Sequence, residues 1–306
     1  MTNSPLEKKV ISLIKKSGPQ TGSAIRKLSG GDDLTLWRTC RLSKSLQTHT
    51  AGISYLRLDR RVEGFARLSP SVLREFLTYS VVGLVGDENS VKRKVQMVRT
   101  HIDEVSRYKF EIAYDVVAGL ENQLENEWLL HEKVCFILAG DIVYNMAHDV
   151  LRPERSTGRL VKGSDLDLIV IVRDDVPDAW MKKLDDCIYQ KKWRALVTPY
   201  LNEEIDYIVK KMERVRNQLH FDTFKHMVAC KILKEGKFLY GSKDIFFTVK
   251  NMLGEYGVTE KLGHLEKQAR VFRQETEERL LGENPGKIRE DGLYLFYPTE
   301  ESEEFE

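Results

Sequence analysis

Gly163-Ser164-Asp165-Leu166-Asp167-Leu168-Ile169-Val170-Ile171-Val172 is the stretch on which the reading of this chain turns. Leu166 to Val172 is its strongest strand pattern. Side chains alternate across a strand, so Asp165 and Asp167 share one face, about 6–7 Å apart at the Cα atoms. Two carboxylates that close repel, and burying both costs several kcal/mol unless a cation sits between them. Hard oxygen donors at that separation suit Mg²⁺ (or Mn²⁺), which takes one or two carboxylates together with substrate phosphates and water. A pair of such ions clamps the attacking and leaving oxygens of an in-line phosphoryl displacement.

Forty residues on, Glu203-Glu204-Ile205-Asp206-Tyr207-Ile208-Val209 has the same character. Asp206 lies among apolar strand residues, where a charge needs a reason. If this strand neighbours the first, Asp206 completes a triad with Asp165 and Asp167 and is placed to accept the proton of an attacking hydroxyl. Upstream, Val134-Cys135-Phe136-Ile137-Leu138 reads as a buried strand ending at Ala139-Gly140. Residues 141–151 read as helix, Pro153 to Gly163 as a charged loop, 178–194 as helix and Ile205 to Val209 as strand. Residues 221–235 and 258–281 return to helix.

Three pieces in this order, Phe136-Ile137-Leu138-Ala139-Gly140, Ser164-Asp165-Leu166-Asp167-Leu168 and Ile205-Asp206, resemble the nucleotidyltransferase superfamily typified by polymerase beta, the CCA-adding enzymes and the aminoglycoside nucleotidyltransferases. The resemblance covers roughly residues 133–245, where Lys231 to Gly241 looks like the helix and turn that follow the core in bacterial members. It implies a mixed sheet with flanking helices and metal binding by Asp165, Asp167 and Asp206. It also implies transfer of a nucleoside monophosphate from an NTP to an acceptor, with release of pyrophosphate. Gly140, Asp141 and Ser164 fall at the positions that meet the nucleotide. Asp141 stands where the family has Ser or Gly, and an aspartate there repels phosphate unless it turns away to cap the helix. Arg159 and Lys162, with Arg152 and Arg155 in the same loop, offer replacement phosphate contacts. The competing reading is a nucleic-acid-binding regulator in which this fold is degenerate and non-catalytic.

The N-terminal part has a different character. Leu6, Val10, Ile11, Leu13 and Ile14 recur at helical spacing up to Ser17-Gly18-Pro19; a short helix spans Ser23 to Leu28; Asp32 or Asp33 caps a third helix from Leu34 to Lys44. Gly52 to Leu58 alternates like a strand, with Asp59-Arg60-Arg61 as the turn of a wing. This order resembles a winged helix-turn-helix. Arg38, Arg41 and Lys44 on the third helix and Arg60 and Arg61 on the wing are then the candidates for DNA or RNA phosphates; the alternative is a protein-docking module.

Charge is asymmetric although the whole chain is +1. Residues 1–70 hold thirteen Lys/Arg against five acids, and residues 272–306 hold eleven acids against four bases. The basic head suits a polyanionic partner, and the acidic end reads as a solvated tail. Residues 89–127 read as one long, charged helix with an apolar stripe through Val91, Val95, Val98, Ile102 and Val105, continued by Tyr108, Ile112, Val116 and Leu120. The expected organisation is therefore α/β (α+β): a winged-helix-like domain over 1–85, a helical spacer over 86–132, the nucleotidyltransferase core over 133–212, a helical region over 213–285 and the acidic tail over 286–306. Four dispersed cysteines make neither a zinc knuckle nor a disulfide framework. No P-loop, no 18-residue apolar run and no signal-peptide pattern is present. The expectation is a cytoplasmic protein with no membrane partner.

Overall fold

The structure is a computed structural model and describes residues 4–124, 128–154 and 156–296. The chain is mixed α/β and divides into two compact units, Met1–His101 with the segment that begins at Leu265, and Ile102–His264. These units do not coincide with the five segments drawn from the sequence. Their boundaries fall inside two long helices, Glu88–Ala118 and Val258–Gly282. Among the described residues no helix is long and apolar enough to cross a membrane.

The first unit runs α1 (Pro5–Ser17), β1 (Gln20–Thr21), α2 (Gly22–Ser29), α3 (Asp33–Leu42), β2 (Leu46–Thr50), β3 (Tyr55–Leu58), β4 (Ala66–Ser69), the single turn α4 (Val72–Arg74), β5 (Ser80–Leu84) and the start of α5 (Glu88–Ala118). Local chemistry sets the helix ends. Ser4, Thr21 and Asp32 accept from the backbone N–H groups of Glu7, Ala24 and Thr35, and Gly18 closes α1 at φ +73°. The strands β1, β5 and β2 form an antiparallel sheet in that order, and β3 pairs with β4 in a separate hairpin. Helices and hairpin thus occupy the expected places, while β1, β2 and β5 are additions. The core holds Val10, Ile25, Trp37, Phe76 and Val82 together with Leu280, Ile288 and Phe296. Residues 286–296 are therefore packed structure, in helices over Pro285–Asp291 and Leu293–Phe296, rather than the start of a solvated tail. Residues 297–306 lie outside the described part.

The second unit continues α5 and adds α6 (Trp128–Lys133), β6 (Val134–Ala139), β7 (Leu151–Pro153), β8 (Leu160–Lys162), β9 (Leu166–Val172), α7 (Asp178–Val197), β10 (Ile205–Lys211), α8 (Met212–Gln218), α9 (Phe224–Glu235), β11 (Lys237–Gly241), α10 (Lys243–Glu255) and α11 (Val258–Gly282). Its main sheet has the order β10-β9-β6-β11. Strands β9 and β10 are parallel and linked through α7; β6 is antiparallel to both β9 and β11. All of β6, and β9 beyond Asp167, is buried, as expected of apolar strands covered on both faces.

Three local expectations are corrected. Residues 141–151 are not a helix: one 3-10 turn, Gly140–Tyr144, ends at Asn145 in the left-handed region (φ +54°), and the chain then runs out to β7. The loop from Pro153 to Gly163 carries half of the β7–β8 hairpin. Lys237–Gly241 is an edge strand on β6, not a turn.

Candidate metal centre

In the parallel pair, Asp167 on β9 lies directly opposite Asp206 on β10, and Asp165 sits one alternation earlier on the same side. Carboxylate oxygens of Asp165, Asp167 and Asp206 all lie within 4.8 Å of one another. Like charges about 4 Å apart cost roughly 4 kcal/mol per pair at an effective dielectric of about 20, so the cluster needs positive charge. Two bases supply part of it. Arg152, from β7, pairs with Asp165, meets Glu204 Oε2 at 2.8 Å and donates through Nε to the Gly163 carbonyl at 2.8 Å. Lys192, on α7, reaches Asp206 Oδ1 at 2.9 Å. Arg152 and Lys192 thus bring two positive charges to Asp165, Glu204 and Asp206. Burial pushes the Glu204 carboxyl up, against the pull of Arg152, and the neighbouring Asp206 pushes it further. A divalent cation with oxygen ligands fits the donor set of Asp165, Asp167 and Asp206.

The surroundings hold the cluster in shape. After β6 the chain turns at Gly140 (φ +72°), where a Cβ would stand 2.0 Å from Asp167 Oδ2. Only glycine permits both the backbone angle and the approach. The Gly140 N–H points to Glu235 Oε1 at 3.4 Å, and Glu235 also accepts from the Tyr144 hydroxyl at 2.6 Å and pairs with Lys231 at 2.8 Å. On the other side Ser164 donates to Asp141 Oδ2 at 2.8 Å and accepts from the His148 N–H at 3.2 Å. Behind both, Lys109 on α5 donates to the Lys162 carbonyl at 2.6 Å and to Glu203 Oε2 at 2.5 Å. The Lys109 and Glu203 side chains are each 1 % exposed. Burial pushes the lysine down and the carboxyl up, and their pairing opposes both shifts. Ser106, one helical turn earlier, accepts from the Ala147 N–H at 3.1 Å.

No protein-family model matches the chain, and no curated protein or solved structure matches it significantly. The site therefore has to be read from its own geometry.

That geometry gathers some candidates and separates others. Asp165, Asp167 and Asp206 converge, with Gly140 against Asp167. Asp141 does not cap a helix; its carboxylate is turned onto Ser164, so the two nucleotide candidates engage each other. Lys162 is held by the Tyr200 carbonyl at 2.8 Å, Arg159 is exposed past the β7–β8 turn, and Arg155 lies outside the described residues. The bases on the carboxylates are instead Arg152 and Lys192. Sequence reasoning misses Lys192 and Lys109. Lys109 has a signal: it falls on the apolar stripe between Val105 and Ile112, the position that a run through the half-exposed Tyr108 misassigns. A lysine on a buried stripe requires a partner.

The basic head is also rearranged. Arg38 Nη1 donates to the carbonyls of Leu280 and Glu283, at 2.5 and 2.8 Å, near the end of α11. Arg41 pairs with Glu277 at 3.2 Å. Arg38 is turned to the C-terminal segment of its own unit, while Arg41 pairs with that segment and stays exposed. Lys44, Arg60 and Arg61 are exposed, and the Arg61 N–H donates to Asp59 Oδ1 at 3.0 Å.

Proposed function

We propose that this chain is a metal-dependent nucleotidyltransferase, and the observation that carries the proposal is the convergence of the three carboxylates of Asp165, Asp167 and Asp206 at the head of two parallel strands. The strand order β10-β9-β6, with β6 antiparallel to β9, and the glycine turn abutting Asp167 support it as well. Asp165, Asp167 and Asp206 would hold Mg²⁺ or Mn²⁺, which supplies electrostatic stabilisation of the phosphate oxygens when bound. Asp206 accepts the proton of the acceptor hydroxyl, and Lys192 fixes the orientation of that carboxylate. The acceptor oxygen forms a bond to the α-phosphorus of an NTP while the bond from that phosphorus to the β-phosphate bridging oxygen breaks, and pyrophosphate leaves. The remaining protein contribution is positioning: Gly140 keeps the Asp167 face open, and Arg152 sits where it can exchange Asp165 for a phosphate.

The test is pyrophosphate release from each of the four NTPs with Mg²⁺ or Mn²⁺, using the wild type and the Asp165→Ala/Asp167→Ala double variant. Release that depends on the metal and falls by about 10³-fold or more in the variant is expected. A folded double variant that retains activity would sink the mechanism. Failure of the wild type to bind any NTP would favour the regulator reading, in which the basic head contacts DNA or RNA and the carboxylates have no substrate.

A further inference from the structure

Helix α7 joins the two carboxylate strands, and its C-terminal half carries features that metal binding leaves unused. From Cys187 to Asn202 the chain has three bases, Lys191, Lys192 and Arg194, and no acid. Tyr189 and Trp193 stand one helical turn apart on one side of α7, 60 % and 49 % exposed. Tyr200, in the loop after the helix, is 76 % exposed. A single exposed apolar side chain is ordinary, but three aromatic rings in so short a basic stretch form a surface. The loop is fixed in place. The Thr198 N–H donates to the Arg194 carbonyl at 3.0 Å and the Glu203 N–H to the Ala195 carbonyl at 3.2 Å, which folds it back on the end of α7. Lys162 ties it to the β7–β8 hairpin, donating through its N–H to the Asn202 carbonyl at 2.9 Å and through Nζ to the Tyr200 carbonyl at 2.8 Å. Arg194 on the helix and Arg159 on the hairpin are exposed, and neither guanidinium makes an ion pair or hydrogen bond among the described residues.

We propose that this surface holds the acceptor, and that the acceptor is a single-stranded polynucleotide. Every base offers a π-face to an exposed aromatic ring, and guanidinium groups with free donors match backbone phosphates bidentately. A duplex would offer the same phosphates but keep its base faces stacked inside. Lys192, the neighbour of Trp193, bonds to Asp206 at 2.9 Å, so a strand stacked on Trp193 lies next to that carboxylate. The terminal hydroxyl of the strand then gives its proton to Asp206 and bonds through oxygen to the α-phosphorus of the NTP, and pyrophosphate leaves. This assignment rests on the transferase reading and names its acceptor class.

Fluorescence anisotropy of the full chain with Mg²⁺ and no NTP tests this, using end-labelled RNA and DNA strands of about 12 nucleotides and a duplex of the same sequence. At least one single strand binds saturably, the duplex binds more weakly, and affinity falls with salt. Trp193→Ala weakens the strand at least about fivefold, and Trp193→Phe, which keeps an aromatic face, recovers most of the loss. Arg194→Gln shallows the log–log salt dependence by about 0.7, one phosphate of a single strand. Each variant is checked for an unchanged melting temperature. Lys44→Gln/Arg60→Gln, on the basic head, leaves binding unchanged. With an NTP added, the bound strand lengthens as pyrophosphate is released. Absence of saturable binding by both single strands overturns the proposal, as does binding indifferent to Trp193→Ala and Arg194→Gln. A duplex bound as tightly as the single strands, or binding lost in Lys44→Gln/Arg60→Gln, overturns it too. Pyrophosphate release with no strand bound or lengthened is the failure of this proposal alone. Strand binding through Trp193 with no pyrophosphate release from any NTP is the failure of the transferase reading, and the acceptor role falls with it.

Discussion

At the head of β9 and β10, carboxylates from two strands are gathered at one spot, whereas in the N-terminal unit two arginines of a basic segment are engaged by the C-terminal segment of the same unit. Residues 1–70 carry thirteen bases against five acids, yet Arg38 and Arg41 end on the segment around Leu280, Glu283 and Glu277. Arg289 returns the exchange by pairing with Asp32 at 2.7 Å. The basic head and much of the acidic C-terminal segment belong to one compact unit, so the charge imbalance seen along the sequence is partly cancelled in space. A strand spacing of two fixes which side a carboxylate faces. A segment's net charge carries no such direction. That contrast separates charge gathered at one spot from charge engaged by packing.

The buried pair under the site offers the largest effect with which to break the contrast. Lys109→Met strands the Glu203 carboxylate at 1 % exposure and should cost about 3–5 kcal/mol in urea unfolding. Adding Glu203→Leu should recover most of that loss, because the stranded charge is gone. A single variant with unchanged stability would show that Lys109 is not the counter-charge on which this end of the sheet rests.

Two glycines with nearly the same backbone angle sharpen the comparison further. At Gly18 (φ +73°) an added Cβ would meet nothing within 4 Å, while at Gly140 (φ +72°) the same atom would stand 2.0 Å from Asp167 Oδ2. Gly18→Ala should therefore cost only the left-handed strain, about 1–2 kcal/mol. Gly140→Ala should cost more and should also weaken Mn²⁺ binding, followed by paramagnetic relaxation of water. Equal destabilisation with intact Mn²⁺ binding would detach Gly140 from the carboxylate cluster.

How much is legible in the sequence follows from the same distinction. Strand alternation gives Asp165 and Asp167 a common face, and the apolar run after them announces β9. The pairing of Asp206 opposite Asp167 is only a conditional expectation, because neighbouring strands are set by long-range packing. The turn at Gly140 reads as the start of a helix and is not one. Asn145 in the left-handed region and the exit to β7 stop it after one 3-10 turn, and the apolar residues Ile142 and Val143 fit either outcome. Arg38 is unreadable for a different reason: its partners are more than 240 positions away, and they are backbone carbonyls, which leave no mark in the residue pattern.

The inward use of the basic head gives a third, smaller effect. Arg38→Met removes charged donors from two carbonyls near the end of α11 and should lower stability by about 1.5–3 kcal/mol. Lys44→Met, on an exposed side chain just beyond α3, should stay within about 0.5 kcal/mol. Thermal denaturation of the two variants measures the difference. If both are silent, the contacts of Arg38 contribute nothing and the head regains its standing as a free phosphate surface.

The smallest effect lies in the hairpin that delivers Arg152 to Asp165. Glu154, directly after β7, is buried at the turn, and burial alone would raise its carboxyl. Four hydrogen bonds from the backbone and hydroxyls of Ser156 and Thr157, at 2.6–2.8 Å, overcome that and hold it down to about 2. A carboxyl depressed in the folded state stabilises it fully above the unfolded value of 4.5 and loses that contribution as pH falls through the folded value of about 2. Glu154→Gln keeps the shape but cannot accept at both terminal atoms. The stability gap between wild type and variant, read from urea midpoints, should be constant above about pH 5 and close progressively between about pH 4.5 and 2. A gap that persists unchanged at about pH 2.5 would mean that the turn is held by its backbone alone. Arg152 would then owe its position to Gly163 and Glu204, not to the hairpin.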